Sequence, residues 1–504
     1  MNLNPESLRY ILGLKLRQLR LERRWGLKEL GRETGMSVSY LSEIEKGRKY
    51  PKPDKLIQLA QALGVSYDEL VSPQVEDHLR PVRELFSSSF LQQFPFHLFG
   101  IEPEQVVGLV TEVPAKAGAL LRTFIEIGQS YGVQVEHFLF SALRSYQQLN
   151  GNFFERIEDE ASRFLEEHGL ADEVGIGADV LQGVLEKEHG FVLDDASLDA
   201  YPEIADLRSV FIDGEPRRLV LNPRLRLPQR AFALGRELGY LRLGLEERSQ
   251  TSGYMRVESF DQVINDFEAA YFSGAVLLNQ RLLVADLERF FGRESWSPDA
   301  FLELLTKYRV TPETFFYRLS QLLPRRFGFQ GSFFVRFAAA AGQEVYRLTK
   351  ILNMSRLPIP LAAEPPEHYC RRWPALAALD GRGTDDDGEL RAGAWRCRFV
   401  TDDEEYLLFT VSRPLSLAED QNTSITLGMR VDEALRRHIA FWNDEAIPRR
   451  DVHILCERCP LDDCAERAAP PLVDDGARRR QEREEILARL VAEVGAPSLT
   501  KGAQ

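Results

Sequence analysis

The sequence predicts a mainly α-helical protein whose C-terminal half is α+β. Three observations carry that reading. Leucines recur at helical spacing through a glycine-punctuated N-terminal segment. Short strand-like runs appear only beyond about residue 207. Three of the five cysteines crowd into nine residues near the C-terminal end, after a strand-rich stretch. At 504 residues the chain is long enough for several domains. The expected division is a helix-turn-helix domain at 8–72, a helical linker or dimerisation region at 73–170, and an α+β ligand-binding domain at 171–355. A Cys-rich domain at 356–475 and a charged tail at 476–504 complete it.

Apolar residues make up 44% and charged residues 28%, which excludes global disorder. The formal net charge of −14 argues against a protein that coats nucleic acid along its whole surface. The charge is unevenly spread. Residues 1–72 carry 13 Lys/Arg against 9 Asp/Glu, a net of +4, and the rest carries 50 against 68, a net of −18. A small basic head on an acidic body predicts anion binding at the head. No run approaches the roughly 20 apolar residues of a membrane helix, and the start shows no signal-peptide pattern. Both predict a cytoplasmic protein without membrane contact.

In the head, Leu12, Leu16 and Leu19 share a helical face among Lys15, Arg17, Arg20, Arg23 and Arg24. A two-turn helix then ends at Gly35, a residue suited to the left-handed position after a helix. Ser37 is a good N-cap for the next helix, with Leu30, Leu41 and Ile44 placed to pack the pair. A further helix carries Leu56, Leu59, Ala60 and Leu63. This is a helix-turn-helix whose second helix can enter a major groove. From Ser37 to Gly47 it resembles the phage-repressor-like (Xre) family, offset by one residue at the start. The resemblance places Val38, Ser39, Tyr40 and Glu43 at base edges. It places Arg48, Lys49 and Lys52 on phosphates of double-stranded operator DNA, with Ser37 and Lys46 completing the set. The alternative is a small bundle whose basic face meets protein.

Helices are expected over Ala117–Gly128 and Val133–Leu149, with a third from Phe153; such apolar faces either dimerise or pack within one chain. Gly128-Gln129-Ser130-Tyr131-Gly132 fits the string of a hydrolase elbow, but a helix rather than a strand precedes it. No Walker pattern occurs. Strands are expected over Leu207–Ile212 and Arg218–Leu221, and then a helix over Gln229–Leu241. These resemble a zincin-like domain, whose signature His-Glu-x-x-His holds zinc with two imidazoles. Here Arg236 and Tyr240 stand where the imidazoles would be, leaving Glu237, and Glu268 is the candidate for a third ligand. A guanidinium has no lone pair to offer zinc. The expectation is a zincin fold without metal, with Arg236 either an anion clamp or half of an ion pair. Asn265 to about Leu352 reads as helical and rich in aromatics, with Arg318, Arg325, Arg326, Arg336, Arg347 and Lys350 nearby, a composition compatible with an apolar ligand bearing an anionic head.

Cys456-x2-Cys459-x4-Cys464 lies in a polar segment unsuited to burying three free thiols. Together with Cys370 it could hold a structural zinc or a [4Fe–4S] cluster. Cys397 sits in an alternating run and reads as a strand residue. The helix-turn-helix head, Arg144-Ser145-Tyr146 seven residues before Phe153, the Arg236-Glu237-Leu238-Gly239-Tyr240 helix and the Cys456–Pro471 segment together resemble the short-chain fatty acyl transcriptional regulators. That family includes bacterial regulators of propionate, methylcitrate and glyoxylate metabolism. The resemblance covers about residues 8–475. It implies a short-chain acyl-CoA effector, for which Arg236, Tyr240, Arg336, Arg347 and Lys350 are the candidate contacts. It also implies a [4Fe–4S] cluster on Cys370, Cys456, Cys459 and Cys464, with zinc the alternative. Where the family runs Cys-Pro-x-Trp, this chain has Cys370-Arg371-Arg372-Trp373. The expected function is a non-enzymatic regulator acting as a homodimer or higher homo-oligomer. The rivals are a redox-sensing iron–sulfur regulator without an acyl-CoA effector and a zincin-type peptidase stress regulator.

Overall fold

The computed structural model describes residues 5–72, 135–251, 257, 259–340, 345–355, 357–360, 368–379, 390–414 and 421–495. The expected helix over Ala117–Gly128 and the Ser130 turn lie outside them. The chain divides into two compact units, 1–146 with 257–264 and 147–256 with 265–504.

The first unit contains the head, five helices: α1 (Pro5–Glu22), α2 (Leu27–Thr34), α3 (Val38–Glu45), α4 (Pro53–Ala62) and α5 (Tyr67–Val71). Gly35 ends α2 at φ +65°, and the Ser37 hydroxyl accepts the Tyr40 N–H at 3.2 Å to start α3. The turn is therefore built by the two residues whose chemistry demands it. Leu12, Leu16, Leu30, Met36, Leu41, Ile44, Leu56, Leu59 and Leu63 form one buried core. Beside it Arg20 and Glu45, both buried, make a two-pronged pair at 2.6 and 2.8 Å that ties α1 to the end of α3. Arg20 also donates to the Trp25 carbonyl at 2.7 Å, so the charge is satisfied by more than its counter-ion.

Helix α6 (Val135–Leu149) follows the expected run. The second unit continues with α7 (Glu155–Glu167), α8 (Ala178–His189), β1 (Val192–Asp194), β2 (Ser209–Ile212), β3 (Arg218–Leu221) and α9 (Leu227–Arg242). The three strands form a small sheet of order β1-β3-β2, with β1 parallel to β3 and β2 antiparallel to it. Next come α10 (Phe260–Leu277), α11 (Gln280–Phe291), α12 (Pro298–Lys307) and α13 (Pro312–Arg326). Arg318 on α13 is fully buried against Glu158 of α7 at 2.8 Å, and the Tyr271 hydroxyl donates to the same carboxylate at 2.6 Å. Burial opposes the Glu158 charge, but Arg318 and the hydrogen bonds outweigh it and hold its pKa below the usual range.

The helical expectation fails after residue 332. β4 (Phe333–Ala340) and β5 (Arg347–Asn353) are strands, joined by β6 (Arg391–Phe399), β7 (Glu404–Pro414), β8 (Gln421–Arg430) and β9 (Arg449–Val452). The six-stranded sheet has order β5-β4-β8-β7-β6-β9, antiparallel except for the last pair. β4 lies between β5 and β8 with nearly every residue buried. A strand covered on both faces reads as a continuous apolar run, so its period of two is lost from the sequence. The sheet also takes strands from both sides of the expected boundary at 355/356. Its short companions are α14 (Pro374–Ala377) and α15 (Glu433–His438), and the expected charged tail begins with a long exposed helix, α16 (Leu472–Gly495). Most of the aromatics are core, including Phe267, Tyr271, Phe272, Phe315, Phe316, Phe333, Phe334 and Phe337.

Helices α9 and α10 cross closely because α9 carries glycine at two successive turns. A Cβ on Gly235 would stand 2.5 Å from the Ser273 Oγ, and one on Gly239 would stand 2.7 Å from the Ala269 carbonyl oxygen. The second clash is with backbone and cannot be relieved by a rotamer. Gly239→Ala is therefore expected to destabilise the body by about 1–3 kcal/mol, the usual cost of overpacking, read as a lower urea midpoint with unchanged operator binding of the folded fraction; a midpoint equal to wild type would contradict the crossing.

Candidate functional site

In the head, the structure leaves the expected DNA-facing residues outside the core. Ser37, Val38, Ser39, Lys46, Arg48, Lys49 and Lys52 are exposed, and Tyr40 and Glu43 are half-buried. Val38 is 42% exposed, a large apolar side chain left in water at the first turn of α3, which is where a recognition helix meets base edges. Arg48 lies 3.5 Å from Glu43, and the Lys49 ammonium lies 5.9 Å from the Tyr40 ring centre. The expected base-edge side chains thus begin α3, and the cations follow its C-terminal end. Tyr50, exposed just after them, belongs to the same surface and carried no periodic signal in the sequence.

In the body, the zinc-ligand positions of α9 are occupied by a hydrogen-bonded charge cluster. Arg236 Nη1 donates to Asp266 Oδ1 at 2.9 Å, and the Tyr240 hydroxyl donates to the same oxygen at 3.1 Å. The carboxylate of α10 that faces these two positions is therefore Asp266. Glu268 instead pairs with Arg156. Glu237, 1% exposed, lies 2.7 Å from Arg248 and 3.9 Å from Arg236. The Arg248 guanidinium is held between two rings, 3.7 Å from the Phe211 centre and 4.1 Å from that of Tyr240. Burial raises the Tyr240 pKa and the Asp266 charge raises it further, so the hydroxyl stays a donor. Of the two readings of Arg236, the ion pair is the one seen. Guanidinium groups carry the positive charge in this pocket, and they offer no lone pair to a metal. Asp266 and Arg248 gave no motif in the sequence, because one sits in an apolar helix and the other in a loop.

The other candidate ligand contacts separate from these. Arg336 Nη1 and Lys350 Nζ both donate to Glu313, at 2.7 and 3.1 Å. They face each other on β4 and β5. Arg347 is exposed at the start of β5. Arg318 is spent on Glu158 inside the core.

The thiol segment is gathered by backbone pairing. Tyr369 bridges Leu455, the Cys370 N–H donates to the Ile454 carbonyl at 3.0 Å, and the Cys456 N–H donates to the His368 carbonyl at 2.8 Å. Cys370, Cys456 and Cys459 are buried there and Cys464 is half-buried. Burial pushes the Cys370 thiol up to about 11 and also raises Cys459; each is further raised by neighbouring cysteines of the set. Backbone groups work the other way. Ala468 N–H donates to Cys456 Sγ at 3.4 Å, backbone groups of His453 and Arg372 favour the Cys370 thiolate, and Leu461 favours that of Cys459. Peptide donors aimed at sulfur suit anionic thiolates, the form in which sulfur ligates a soft metal or cluster. Among the described residues, no three His, Cys, Asp or Glu side chains stand arranged to hold a metal ion as they are. His368 is braced by Glu457 at 2.7 Å beside this segment. Cys397 is fully buried on β6, its thiol pushed up to about 12 by burial.

Residues 11–72 match the helix-turn-helix domain model, and residues 199–320 match that of the IrrE N-terminal-like domain, a peptidase family. An uncharacterized HTH-type transcriptional regulator, y4dJ, of Sinorhizobium fredii is 42% identical over 70 residues, 14% of this chain and 91% of its own length. The chain belongs to the HTH-type transcriptional regulators. A hypothetical transcription factor of Neisseria meningitidis is 31% identical to this regulator over 73 residues, 14% of this chain and 69% of the relative. A solved Mycobacterium tuberculosis transcriptional regulator is 18% identical, covering 66% of this regulator and 93% of its own chain at a TM-score of 0.48. The regulator binds double-stranded DNA through its head, and among its described residues no helix is long and apolar enough to cross a membrane.

Replacing both Arg48 and Lys49 with Ala should flatten the salt dependence of operator binding, by about 0.9 in logarithmic slope for each phosphate that is no longer neutralised. Tyr40→Ala should instead relax sequence preference; an unchanged slope in the double variant would remove both cations from the interface. In the body, wild type should take up no zinc at Asp266, whereas Arg236→His with Tyr240→His supplies two imidazoles one turn apart beside that carboxylate. Equilibrium dialysis should find one added equivalent of zinc in the double variant.

Proposed function

We propose that this regulator ties operator affinity to a short-chain acyl-CoA of propionate, methylcitrate or glyoxylate metabolism, and that its body senses rather than cleaves. The observation that carries the sensing half is the Arg236–Asp266–Tyr240 cluster. The family match at 199–320 favours the rival reading, a metallopeptidase-type regulator, and Glu237 remains where such an enzyme has its base. Against it, neither imidazole is present, Arg236 offers a metal no lone pair, and Glu237 is engaged by Arg248. A domain that keeps the scaffold and fills the metal pocket with an internal cation retains a binding cleft and loses the chemistry. The acyl-CoA half rests on the family resemblance, and Arg336 and Lys350 offer cations of the right kind for its phosphates.

Cys370, Cys456, Cys459 and Cys464 would hold a [4Fe–4S] cluster, with zinc the alternative. Such a group supplies a crosslink between the Cys370 and Cys456 segments that is sensitive to oxidation. A redox sensor without an acyl-CoA effector is the reading that remains if the effector fails. We propose a homodimer, since two copies of α3 would read two half-sites.

The deciding experiment is operator binding by anaerobically purified full-length protein, titrated with propionyl-CoA and with free CoA. A shift in operator affinity with propionyl-CoA supports the reading, and no shift at saturating concentration overturns it. Glu237→Gln should leave operator binding intact; cleavage of a protein substrate that disappears in this variant would restore the peptidase. Cys459→Ser should lose bound iron, labile sulfide and the absorbance near roughly 400 nm of thiolate-ligated iron, and Cys397→Ser should keep all three. A colourless wild type with one equivalent of zinc would assign the thiols to a structural zinc site.

A further inference from the structure

The two faces of the six-stranded sheet differ in kind. Register places Arg336 opposite Lys350 on β5 and Ile425 on β8. It places Ala338 opposite Thr423, and Thr423 opposite Arg413 on β7. Because paired residues and residues two apart share a face, Arg336, Lys350 and Arg413 lie on one face of the sheet. The opposite face carries Phe333, Val335, Phe337, Cys397, Phe399 and Tyr406, packed with Cys370 and Trp373 in one apolar cluster.

On the cationic face, Glu313 from the first turn of α13 is pinned between Arg336 and Lys350. Arg336 Nε also donates to Thr349 at 2.8 Å, and the Lys350 ammonium lies 4.6 Å from the Tyr317 ring centre, so both cations are held in place. Arg208, just before β2, adds its field at Glu313. Arg413 feels Glu313, Arg226, Arg208 and Arg336 together. Its Nε is buried without a hydrogen-bond partner among the described residues, although a buried guanidinium N–H ordinarily has one. Arg226 is exposed at the start of α9, and Lys350 is exposed on the edge strand, so the cluster opens to water on that side. Burial lowers the Arg413 pKa, and the three neighbouring arginines lower it further against the pull of Glu313. Cations crowded around one carboxylate are mutually repelled, and a multiply charged anion would relieve them.

We propose that Arg226, Arg336, Lys350 and Arg413 form a binding site for a pyrophosphate-bearing anion, with Glu313 as the internal carboxylate that the anion displaces. The site does not depend on the acyl-CoA reading, since free polyphosphate and the phosphates of a nucleotide present the same chemistry. Guanidinium groups favour it because their forked donors match phosphate oxygens in pairs. Glu313 would act as a tether: it holds Arg336 and Lys350 in position while the site is empty, and gives them up when a more highly charged partner arrives.

The test is calorimetric titration of the full chain with inorganic pyrophosphate at low ionic strength, with Lys350→Gln, Arg226→Gln, Arg413→Gln and Glu313→Gln beside wild type. Cations of the DNA-binding head are unchanged in all four, so a difference among them reports on the body. Expected are saturable binding by wild type, about tenfold weaker binding for each cation removed, and tighter binding for Glu313→Gln, which deletes the competitor. Lys350 and Arg226 are exposed, so their variants test the site even if Arg413→Gln fails to fold. Pyrophosphate affinity equal to wild type in both exposed variants overturns the proposal, as does weaker binding by folded Glu313→Gln. Free CoA provides the second arm. Competition with pyrophosphate supports the site and makes nucleotide phosphate its source. Pyrophosphate binding that saturating CoA does not disturb supports the site, makes free polyphosphate the source, and counts against the acyl-CoA effector.

Discussion

Side-chain alternation across the six-stranded sheet is the constraint on which most of the body depends. Every residue of β4 must send its side chain to one of two faces, and the pairing with β5 and β8 sets which one. Phe333, Val335 and Phe337 go to the face that covers Trp373 and the thiol segment. Phe334 and Arg336 go to the face covered by α13, where Phe334 meets Tyr317 edge-on at 5.7 Å and Arg336 meets Glu313. A shift of one residue would bury the arginine among aromatics and turn the phenylalanines toward the cations, which makes the register strongly determined. Thiols and cations are consequently back to back on one rigid wall.

The zincin-like half shows the same economy with charge. A metal pocket between two helices must be neutralised when the metal is lost, or its carboxylates remain buried and unpaired. Here Arg236 binds Asp266 and Arg248 binds Glu237, so each acidic group has a guanidinium partner. The glycines at 235 and 239 keep α9 and α10 near enough for this to occur.

The head obeys local rules, and it was legible for that reason. Gly35 at positive φ, Ser37 as a cap and leucines at helical spacing act within a few residues of one another. Their physics needs no knowledge of distant chain. The same holds for α9, the β2–β3 hairpin and the absence of imidazoles at 236 and 240. Cys397 also went where its alternating neighbours placed it, onto a buried strand.

What the sequence determined by itself was therefore the head, the β2–β3 strands with helix α9 after them, and the chemistry missing from the zincin motif. Tertiary structure decided the rest. β4 read as helix because a strand buried on both faces loses its alternation, and only the partner strands restore it. Asp266 replaced Glu268 at the pocket because the α9–α10 crossing angle, not helical spacing, chooses which carboxylate faces Arg236. Arg413 came under the fields of Arg226 and Arg336 although 187 positions separate it from Arg226, and Cys370 met the Cys456 segment across 86. Contacts over such spans leave no local periodicity, because the chain between them is free to route in many ways until strand pairing selects one.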